Sequence, residues 1–343
     1  MHETKPDILS KQINKTKETP AAQRFRASIL LLIATFGWGI SFPLLKAGAL
    51  LQQEAVPDSS SWFIAALTIA TRFCGGAFIL LVFCLRTLRH LTQSEVLQGV
   101  GLACFAGTGM LIQNDGMMYT SASTSAFLTQ FYCLVIPLWL ALRYRRVPSR
   151  SAVLACALVL FGVALLARID MRHFSIGRGE AETLISACFF AGHILWLERP
   201  QFVGNRTMHA TLVMFSVIGA AMLCLAFASA QRGADIITAS SPASVLALMA
   251  TLIVFSTLGP FIVMNAWQRF VNATQASLIY CTEPLYASVA ALFLPGWFSH
   301  MWGIEYSNET ATTRLLLGGA LILAANVLIQ LRTENTTSDV ALN

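Results

Sequence analysis

Apolar runs of about twenty residues recur along this chain from residue 27 to residue 331, and no other feature limits its folding as strongly. A helix of about 20 apolar residues crosses a hydrocarbon core about 30 Å thick. These runs are twice as long as a transmembrane β-strand, and a backbone in lipid must satisfy its own hydrogen bonds. The sequence therefore predicts an all-α polytopic membrane protein.

The composition supports this interpretation. Of the 343 residues, 56% are apolar and 12% are charged, whereas an ordinary soluble domain is about 25% charged. This balance excludes a soluble globular protein, a disordered chain and a nucleic-acid binder. The net charge of +6 does not indicate an anionic partner, because the basic residues fall in the gaps between the apolar runs.

Ten runs are long enough to cross a membrane, and we predict one helix in each. The predicted spans are 27–50, 61–85, 96–119, 121–142, 150–167, 180–198, 209–230, 244–267, 272–294 and 312–331. Residues 1–26 and 332–343 are left as polar tails.

Basic residues between the spans predict the orientation. Segments on the same side as residues 1–26 carry 16 Lys and Arg residues, and segments on the other side carry five; Lys46 and Arg72 within spans complete the 23. Cytoplasmic loops hold the excess of Lys and Arg in membrane proteins. We therefore expect a multi-pass protein of the cell (inner) membrane with both termini in the cytoplasm.

A weak internal repeat divides the ten spans into two sets of five. The matched pairs are Phe36/Phe189, Gly39/Gly192 and Lys46/Arg199 at an offset of 153, and Asn114/Asn265, Tyr119/Phe270 and Ala122/Ala273 at an offset of 151. Because five is odd, the second copy enters the membrane from the opposite face. The sequence thus predicts two inverted five-helix repeats, 27–167 and 180–331, as in transporters whose substrate site lies near the midplane.

Two charged residues lie deep within predicted spans. Arg72 and Glu283 are about ten and eleven residues into their spans, which places both about 15 Å deep at 1.5 Å per residue. A charge at that depth costs roughly 2.5–3.5 kcal/mol or more unless it is paired or hydrated. They either neutralise each other as a structural ion pair or line a polar cavity, and we favour the cavity. Lys46 and Asp115 lie nearer the outer end, where Lys46 can extend to the interface.

Polar and aromatic residues of other spans are candidates for the same cavity. Each of them has an alternative role in hydrogen bonds between helices. With the two charges, the predicted substrate-binding set is Trp38, Arg72, Asn114, Gln130, Tyr132, Trp196, Asn265, Tyr280 and Glu283. His193 fits a packing role better.

Sequence signatures of enzymes are absent. The chain has no His-Glu-x-x-His, no Gly-x-x-x-x-Gly-Lys-Ser/Thr and no Gly-x-Ser-x-Gly. The eight cysteines lie in apolar runs without a Cys-x-x-Cys pair, so neither a zinc site nor a disulfide framework is predicted. We expect no catalytic site, no metal and no cofactor.

Several stretches resemble one family. Phe36–Pro43 followed by Lys46 is similar to the first-helix pattern of the EamA-type transporters of the drug/metabolite transporter superfamily. Further likenesses lie at the end of the third helix, in the fourth, in the ninth and in the tenth. The residues concerned are Gln113-Asn114 with Tyr119–Ala122, Ala126–Gln130 with Pro137, Glu283-Pro284, and Gly318–Leu323.

The resemblance implies ten helices in two inverted repeats around a central cavity and transport of small metabolites without ATP. We expect a secondary transporter that exports amino acids or related small polar metabolites by alternating access. The competing hypothesis is a membrane enzyme or a non-transporting sensor. A proton is an open candidate for the coupling ion, and a homodimer is an open candidate for the assembly.

Residues 295–308 depart from the family pattern. The family has a short Gly-Glu turn after the ninth helix, whereas this chain inserts a segment that contains Trp297, Phe298, Trp302 and Tyr306. Aromatic residues of this kind concentrate at membrane–water interfaces. We predict an interfacial segment at the outer face.

The count of basic residues makes the topology testable. Reporter fusions after Arg146 should report the cytoplasm, and fusions after Asp58 should report the outside, because the excess of Lys and Arg stays on the cytoplasmic side. The opposite pattern of activity would overturn the orientation together with the inverted-repeat argument.

Overall fold

The computed structural model describes residues 20–145, 150–166 and 176–310, together with 312, 313, 316–318, 320, 321, 324 and 325. These residues form helices and turns, with no strand among them. The helices are α1 (Pro20–Ala55), α2 (Ser61–Cys84), α3 (Gln93–Gly116), α4 (Ala122–Thr129), α5 (Tyr132–Tyr144), α6 (Arg150–Leu166), α7 (Arg178–Leu197), α8 (Thr207–Ser229), α9 (Asp235–Ser240), α10 (Ala243–Thr251), α11 (Gly259–Trp267), α12 (Ala273–Tyr280), α13 (Glu283–Ala291) and α14 (Leu294–Trp302).

Six helical stretches among the described residues are long and apolar enough to cross a membrane, and a seventh is added if a bent pair counts as one span. The six are Ala21–Ala55, Ser61–Cys84, Gln93–Gly116, Ala122–Tyr144, Thr207–Ser229 and Ala243–Phe270. The bent pair joins Ala273–Ala291 to Leu294–Trp302 at 46°. The prediction of an all-helical membrane protein is therefore confirmed, whereas the number of ten spans stays a prediction.

Three predicted spans have no counterpart among these stretches of the described residues. Residues 150–167 and 180–198 correspond to α6 and α7, which are helical but are not among the stretches that qualify as spans. The span 312–331 lies largely outside the described residues, and so do residues 1–19 of the N-terminal tail and the tail 332–343.

One end of the bundle holds the start of α1 and the other end holds its last residue, and we call them the N-terminal end and the distal end. Polar caps fix where several helices begin. At the N-terminal end, Thr92 and Glu95 form a capping box on α3, and Asn272 and Gln275 form one on α12. Such caps satisfy backbone N–H groups that have no partner in the first turn.

Two predicted spans are broken in the middle, at matching positions. The helix pair α4 and α5 is interrupted at Gln130–Phe131, and the pair α12 and α13 at Cys281–Thr282. The pairs begin at residues 122 and 273 and resume at residues 132 and 283, so the later boundary follows the earlier by 151 in both cases (273 minus 122, 283 minus 132). Each break places a new helix start inside the bundle.

A third span contains a π-helix. Residues Leu252–Leu258 form it between α10 and α11. A π-helix shifts the following residues around the helix axis, and such segments occur frequently at functional sites. Here the shift precedes Gly259-Pro260, where α11 begins.

Helix α1 packs against α11 and α13 at the centre of the bundle, while α3 packs against α7 and α8. Glycine permits the close approach of α1 to α13. A methyl group at Gly39 would lie 2.6 Å from Cβ of Tyr286 and 2.7 Å from the carbonyl oxygen of Glu283. The position of Glu283 therefore depends on this contact.

The aromatic segment after α13 folds back on itself at the distal end. Phe298 is buried and stacks on Trp302 with ring centres 5.1 Å apart, while Trp297 remains exposed. Helix α14 ends at Gly303, whose φ of 75° suits glycine. The backbone N–H of Glu309 then donates to the carbonyl oxygen of Ala291 at 2.9 Å.

The close approach at Gly39 predicts the effect of adding one methyl group. Gly39→Ala should lower the free energy of unfolding by about 1–3 kcal/mol, because α1 must move away from rigid backbone of α13. Denaturation of the purified protein in detergent measures this change. Gly233→Ala is the control, because nothing lies within 4 Å of a methyl group there. Equal stability of the two variants would contradict the packing argument.

Candidate functional site

A cavity of about 90 Å³ lies at the centre of the bundle, and we call it the central cavity. Helices from both predicted repeats line it, α1 to α5 from the first and α7 and α11 to α13 from the second. Six of the nine predicted site residues are in its wall: Trp38, Arg72, Asn114, Tyr132, Tyr280 and Glu283.

Arg72 is held by hydroxyl groups. Its side chain is buried, with Nε donating to Thr257 Oγ1 and Nη2 donating to Ser256 Oγ, both at 3.1 Å. Both acceptors belong to the π-helix, which turns two consecutive hydroxyls toward the guanidinium. They accept two of its hydrogen bonds but supply no negative charge.

Glu283 is the first residue of α13 and its side chain is buried. The start of a helix carries partial positive charge, which favours a carboxylate there. Gln130 Nε2, at the break between α4 and α5, donates to Glu283 Oε2 at 3.5 Å. Both helix breaks therefore meet at this carboxyl group.

The two charges share a cavity without forming an ion pair. Among the described residues, the ion pairs join other groups, and none includes Arg72 or Glu283. Of the two sequence interpretations, the polar cavity therefore agrees with the structure and the direct ion pair does not. An uncompensated buried charge is costly, so each is available to a ligand of opposite charge.

His193 of α7 also faces the central cavity, although its sequence context favoured packing. Its side chain is 2% exposed, and Nδ1 lies 3.2 Å from the carbonyl oxygen of Leu102. A carbonyl oxygen only accepts, so Nδ1 carries the hydrogen. Nε2 has no partner and presents a lone pair to the cavity when the ring is neutral.

Two donors of the cavity wall are unpartnered as well. Trp38 Nε1 and Asn114 Nδ2 are buried and make no hydrogen bond. Buried polar groups are nearly always satisfied by protein or water, so these atoms mark places for a polar ligand or water. The wall beside them is apolar, where Phe261 contacts Trp38 with ring centres 5.3 Å apart.

A hydrogen-bonded layer closes the cavity toward the N-terminal end. Tyr280 Oη donates to Gln268 Oε1 at 2.9 Å, and Gln268 Nε2 donates to the carbonyl oxygen of Ile194 at 3.0 Å. These bonds connect α12, the turn after α11 and α7.

A larger pocket of about 310 Å³ lies at the N-terminal end, and we call it the vestibule. Asn265 lines the vestibule and donates to Thr211 Oγ1 at 2.9 Å, so it does not share the central cavity with Asn114. Trp196 lies at the same end, where Arg199 stacks 4.0 Å above its ring and its Nε1 donates to the carbonyl oxygen of Gln98. Arg199 and Arg269 both line this pocket.

Charged side chains connect α1, α3 and α7 at the distal end. Arg178, at the start of α7, contacts Asp115 Oδ2 at 2.5 Å and Glu182 Oε1 at 2.8 Å. Lys46 donates to the carbonyl oxygens of Met117 and Thr120, at the end of α3. The outer position predicted for Lys46 and Asp115 agrees with this placement, but Lys46 caps a helix end instead of extending into water.

Charged side chains also connect α3 to the start of α8 at the N-terminal end. Glu95 of α3 accepts hydrogen bonds from Arg206, with Nε at 2.8 Å, and lies 3.3 Å from His209 Nδ1. The carboxylate of Glu95 raises the pKa of Arg206. Both ends of α3 therefore form ion pairs with the second half of the chain, Glu95 with Arg206 and Asp115 with Arg178.

Ser256 and Thr257 are the site residues that the sequence did not single out. Their side chains are ordinary ones for a membrane helix, and only the π-helical register turns both toward Arg72. The nearby Gly259-Pro260 is the one local signal of an irregular helix. Within the described ranges, no three His, Cys, Asp or Glu side chains are placed to hold a metal ion.

Comparison with known proteins identifies the chain's relatives. Residues 25–168 match the EamA-like transporter family. A protein of Archaeoglobus fulgidus described as "Uncharacterized transporter" is 24% identical over 331 residues, which cover 95% of this chain and 94% of that protein. A solved structure described as "Crystal structure of protein" is 13% identical, with a TM-score of 0.55 over 88% of this chain and 98% of that one.

Residues 25–168 are therefore similar to the EamA-like transporter family, in agreement with the resemblance of the motifs that lie in this part of the chain. The family and the relative indicate a transporter role. With the apolar helices, they identify a multi-pass membrane protein.

The hydroxyl support of Arg72 leads to a prediction about stability. Thr257→Val should lower the free energy of unfolding by about 1.5–3 kcal/mol, since a hydrogen bond to a charged group is lost. In an Arg72→Met background the same change should cost much less, and denaturation of all four proteins in detergent measures the difference. Thr251→Val is the control, because that hydroxyl bonds only within its own helix. Equal costs in both backgrounds would contradict the assignment.

Proposed function

We propose that this protein is a secondary transporter that exports amino acids or related small polar metabolites by alternating access. The observation that carries the proposal is one cavity that contains a buried guanidinium and a buried carboxyl group without an ion pair between them. Arg72 and Glu283 are complementary to a ligand that carries both signs of charge. A zwitterionic amino acid is the simplest such ligand.

In this arrangement the ammonium group of the substrate contacts Glu283 and its carboxylate contacts Arg72. Unpartnered Trp38 Nε1 and Asn114 Nδ2 add donors for the carboxylate or for a polar side chain, and Tyr132 and Tyr280 complete the wall. Gln130 positions the Glu283 carboxyl group. We assign Asn265 to the vestibule, and Trp196 beside it through its contacts with Arg199 and Gln98, which line that pocket.

The size of the cavity favours a gated mechanism. About 90 Å³ holds about three water molecules, whereas ligand pockets usually have about 300–1,000 Å³. Substrate entry therefore requires the helices to move apart. The layer formed by Tyr280 and Gln268 separates the cavity from the vestibule and is a suitable inner gate.

Helix pairing supports two inverted repeats, 27–167 and 180–331. In the proposed pseudo-symmetry, α1 corresponds to α7 and α3 corresponds to α10 and α11. The contact of α1 with α11 is then the counterpart of the contact of α7 with α3. The matched helix breaks, 151 residues apart, support the same relation.

We place the N-terminal end of the bundle, with its vestibule, at the cytoplasmic side of the inner membrane. The basic residues support this orientation, because Arg199, Arg206 and Arg269 lie at this end. The vestibule then faces the cytoplasm, which suits uptake of an internal substrate for export. Export remains the direction to be tested.

Glu283 has a second proposed role, as the carrier of a coupling proton. A carboxyl group that is buried in one state and hydrated in another takes up a proton and releases it. The two roles differ in what binds: a substrate ammonium group in the first, a proton in the second. Both use the same side chain in the central cavity.

Glu283→Gln tests the proposal in proteoliposomes loaded with radiolabelled amino acids, with and without a proton gradient. Transport should fall roughly tenfold or more, because a contact to a charged group is lost. Protein abundance should change little. Loss of gradient-driven transport with retained exchange identifies the proton carrier, and loss of substrate affinity identifies the substrate contact.

Glu305→Gln is the matched control, since Glu305 is exposed at the distal end and should leave transport unchanged. Normal coupled transport by well-folded Glu283→Gln protein would refute both roles and return Glu283 to a structural one. Absence of transport for every amino acid by the wild-type protein would refute the substrate class.

A further inference from the structure

Asp115, Arg178 and Glu182 form a charged group at the distal end, away from the central cavity, and we call it the distal cluster. Asp115 is fully buried, Glu182 is partly buried and Arg178 is exposed. One guanidinium serves two carboxyl groups: Nη2 of Arg178 contacts Asp115 Oδ2 at 2.5 Å, and Nε contacts Glu182 Oε1 at 2.8 Å. Asp115 belongs to the last turn of α3, and the other two belong to the first turns of α7. The cluster therefore joins the two helices.

Each carboxyl group has a second oxygen without a partner. Asp115 Oδ1, on a side chain that is fully buried, and Glu182 Oε2 are both shielded from solvent and accept no hydrogen bond. An unsatisfied oxygen of a buried carboxylate is costly, more so than that of a neutral group. The two groups also act on each other electrostatically.

The net charge of the distal cluster also makes ionisation of both carboxyl groups costly. Two carboxylates and one guanidinium leave a net charge of −1, and the two carboxylate oxygens without partners are shielded from solvent. Asp115 lies at the C-terminal end of α3, where the helix dipole disfavours a negative charge. Two like charges at one site disfavour ionisation of both groups at once.

The neighbouring charged groups do not supply the missing cation. Lys46 of α1 is directed to the carbonyl oxygens of Met117 and Thr120, and Glu180 of α7 accepts from Thr120 Oγ1 at 2.7 Å. Tyr119 Oη accepts from Arg178 Nη1 at 2.8 Å and shares a hydrogen bond with Ser61 of α2. Among the described residues around the cluster, the remaining place for positive charge is a proton on the carboxyl pair.

We propose that Asp115 and Glu182 bind one proton between them, and that this proton holds α3 against α7 and keeps the distal end closed. The site is separate from Glu283, and the proposal does not depend on the substrate of the central cavity.

The step is a simple acid–base reaction. A hydronium ion or buffer acid on the distal side gives its proton to one carboxylate, which forms an O–H bond and leaves the conjugate base in solution. The O–H group then donates to the unpartnered oxygen of the other carboxylate. When the proton leaves, the two carboxylates repel each other, and separation of α3 from α7 lets water reach both oxygens. Acid on the distal side therefore favours closure.

Infrared difference spectroscopy of the full-length protein in nanodiscs tests whether the proton is bound. The wild type should show the carbonyl stretch of a protonated carboxylic acid that disappears on alkaline titration. Asp115→Asn and Glu182→Gln should each remove this band, because a single carboxylate beside Arg178 stays ionised. Glu180→Gln, on the same helix, should retain it. A signal from any other carboxyl group is common to all four proteins and cancels in the comparison.

Amide hydrogen exchange tests whether the proton closes the distal end. Exchange of wild-type residues 176–186, corrected for the intrinsic effect of pH, should rise roughly tenfold above the titration, since one charge-assisted hydrogen bond is lost. Asp115→Asn and Glu182→Gln should exchange slowly at every pH, because an amide N–H replaces the proton as donor. Misfolding would raise exchange at every pH and at both helix ends instead.

Two results would overturn the proposal. A protonated band that survives in both single variants would show that the proton lies elsewhere. Exchange at α7 that is independent of pH in the wild type, or that keeps its pH dependence in the variants, would show that the cluster is a static ion pair.

Discussion

A buried guanidinium without a carboxylate partner is the constraint on which the rest of the site depends. Arg72 lies within a helix that spans the membrane, where a charge costs roughly 2.5–3.5 kcal/mol or more. Ser256 and Thr257 accept two of its hydrogen bonds, and both hydroxyls belong to the π-helix. Since hydroxyls are neutral, the compensating charge must come across the cavity, from Glu283 or from a ligand. The second segments of both broken helices and the aromatic side chains of the wall line the same small cavity as this guanidinium.

The sequence was sufficient to predict the helical membrane fold, because hydropathy sets it, and it placed Arg72 and Glu283 among the residues of one cavity. It also placed Asn114 and Asn265 as equivalent positions, but their surroundings differ: Asn114 faces the cavity, whereas Asn265 bonds to Thr211 beside the vestibule. The hydroxyl pair of the π-helix was not predictable, because the register of a span depends on tertiary contacts. The sequence assigned His193 to packing because it stands alone among apolar residues, and its bond to Leu102, 91 residues away, was not predictable from the sequence.

The two broken helices begin their second segments with different side chains. At offset 151, Tyr132 and Glu283 both begin the second segment of a broken helix. Only one of them is acidic: one break contributes a carboxyl group to the cavity wall and the other contributes a phenol. In the proposed function, this difference gives an asymmetric substrate one orientation. Glycine at position 39 keeps the acidic segment close to α1.

Helix α7 carries Arg178, Glu180 and Glu182 in its first turns, and these charges bear on how the chain is inserted during synthesis. Insertion of a segment with three charges into lipid is unfavourable when no other helix supplies a partner. Its partner Asp115 belongs to α3 and is synthesised earlier, so the counter-ion of Arg178 precedes it in the chain. We therefore expect insertion of α7 to depend on the earlier insertion of α3.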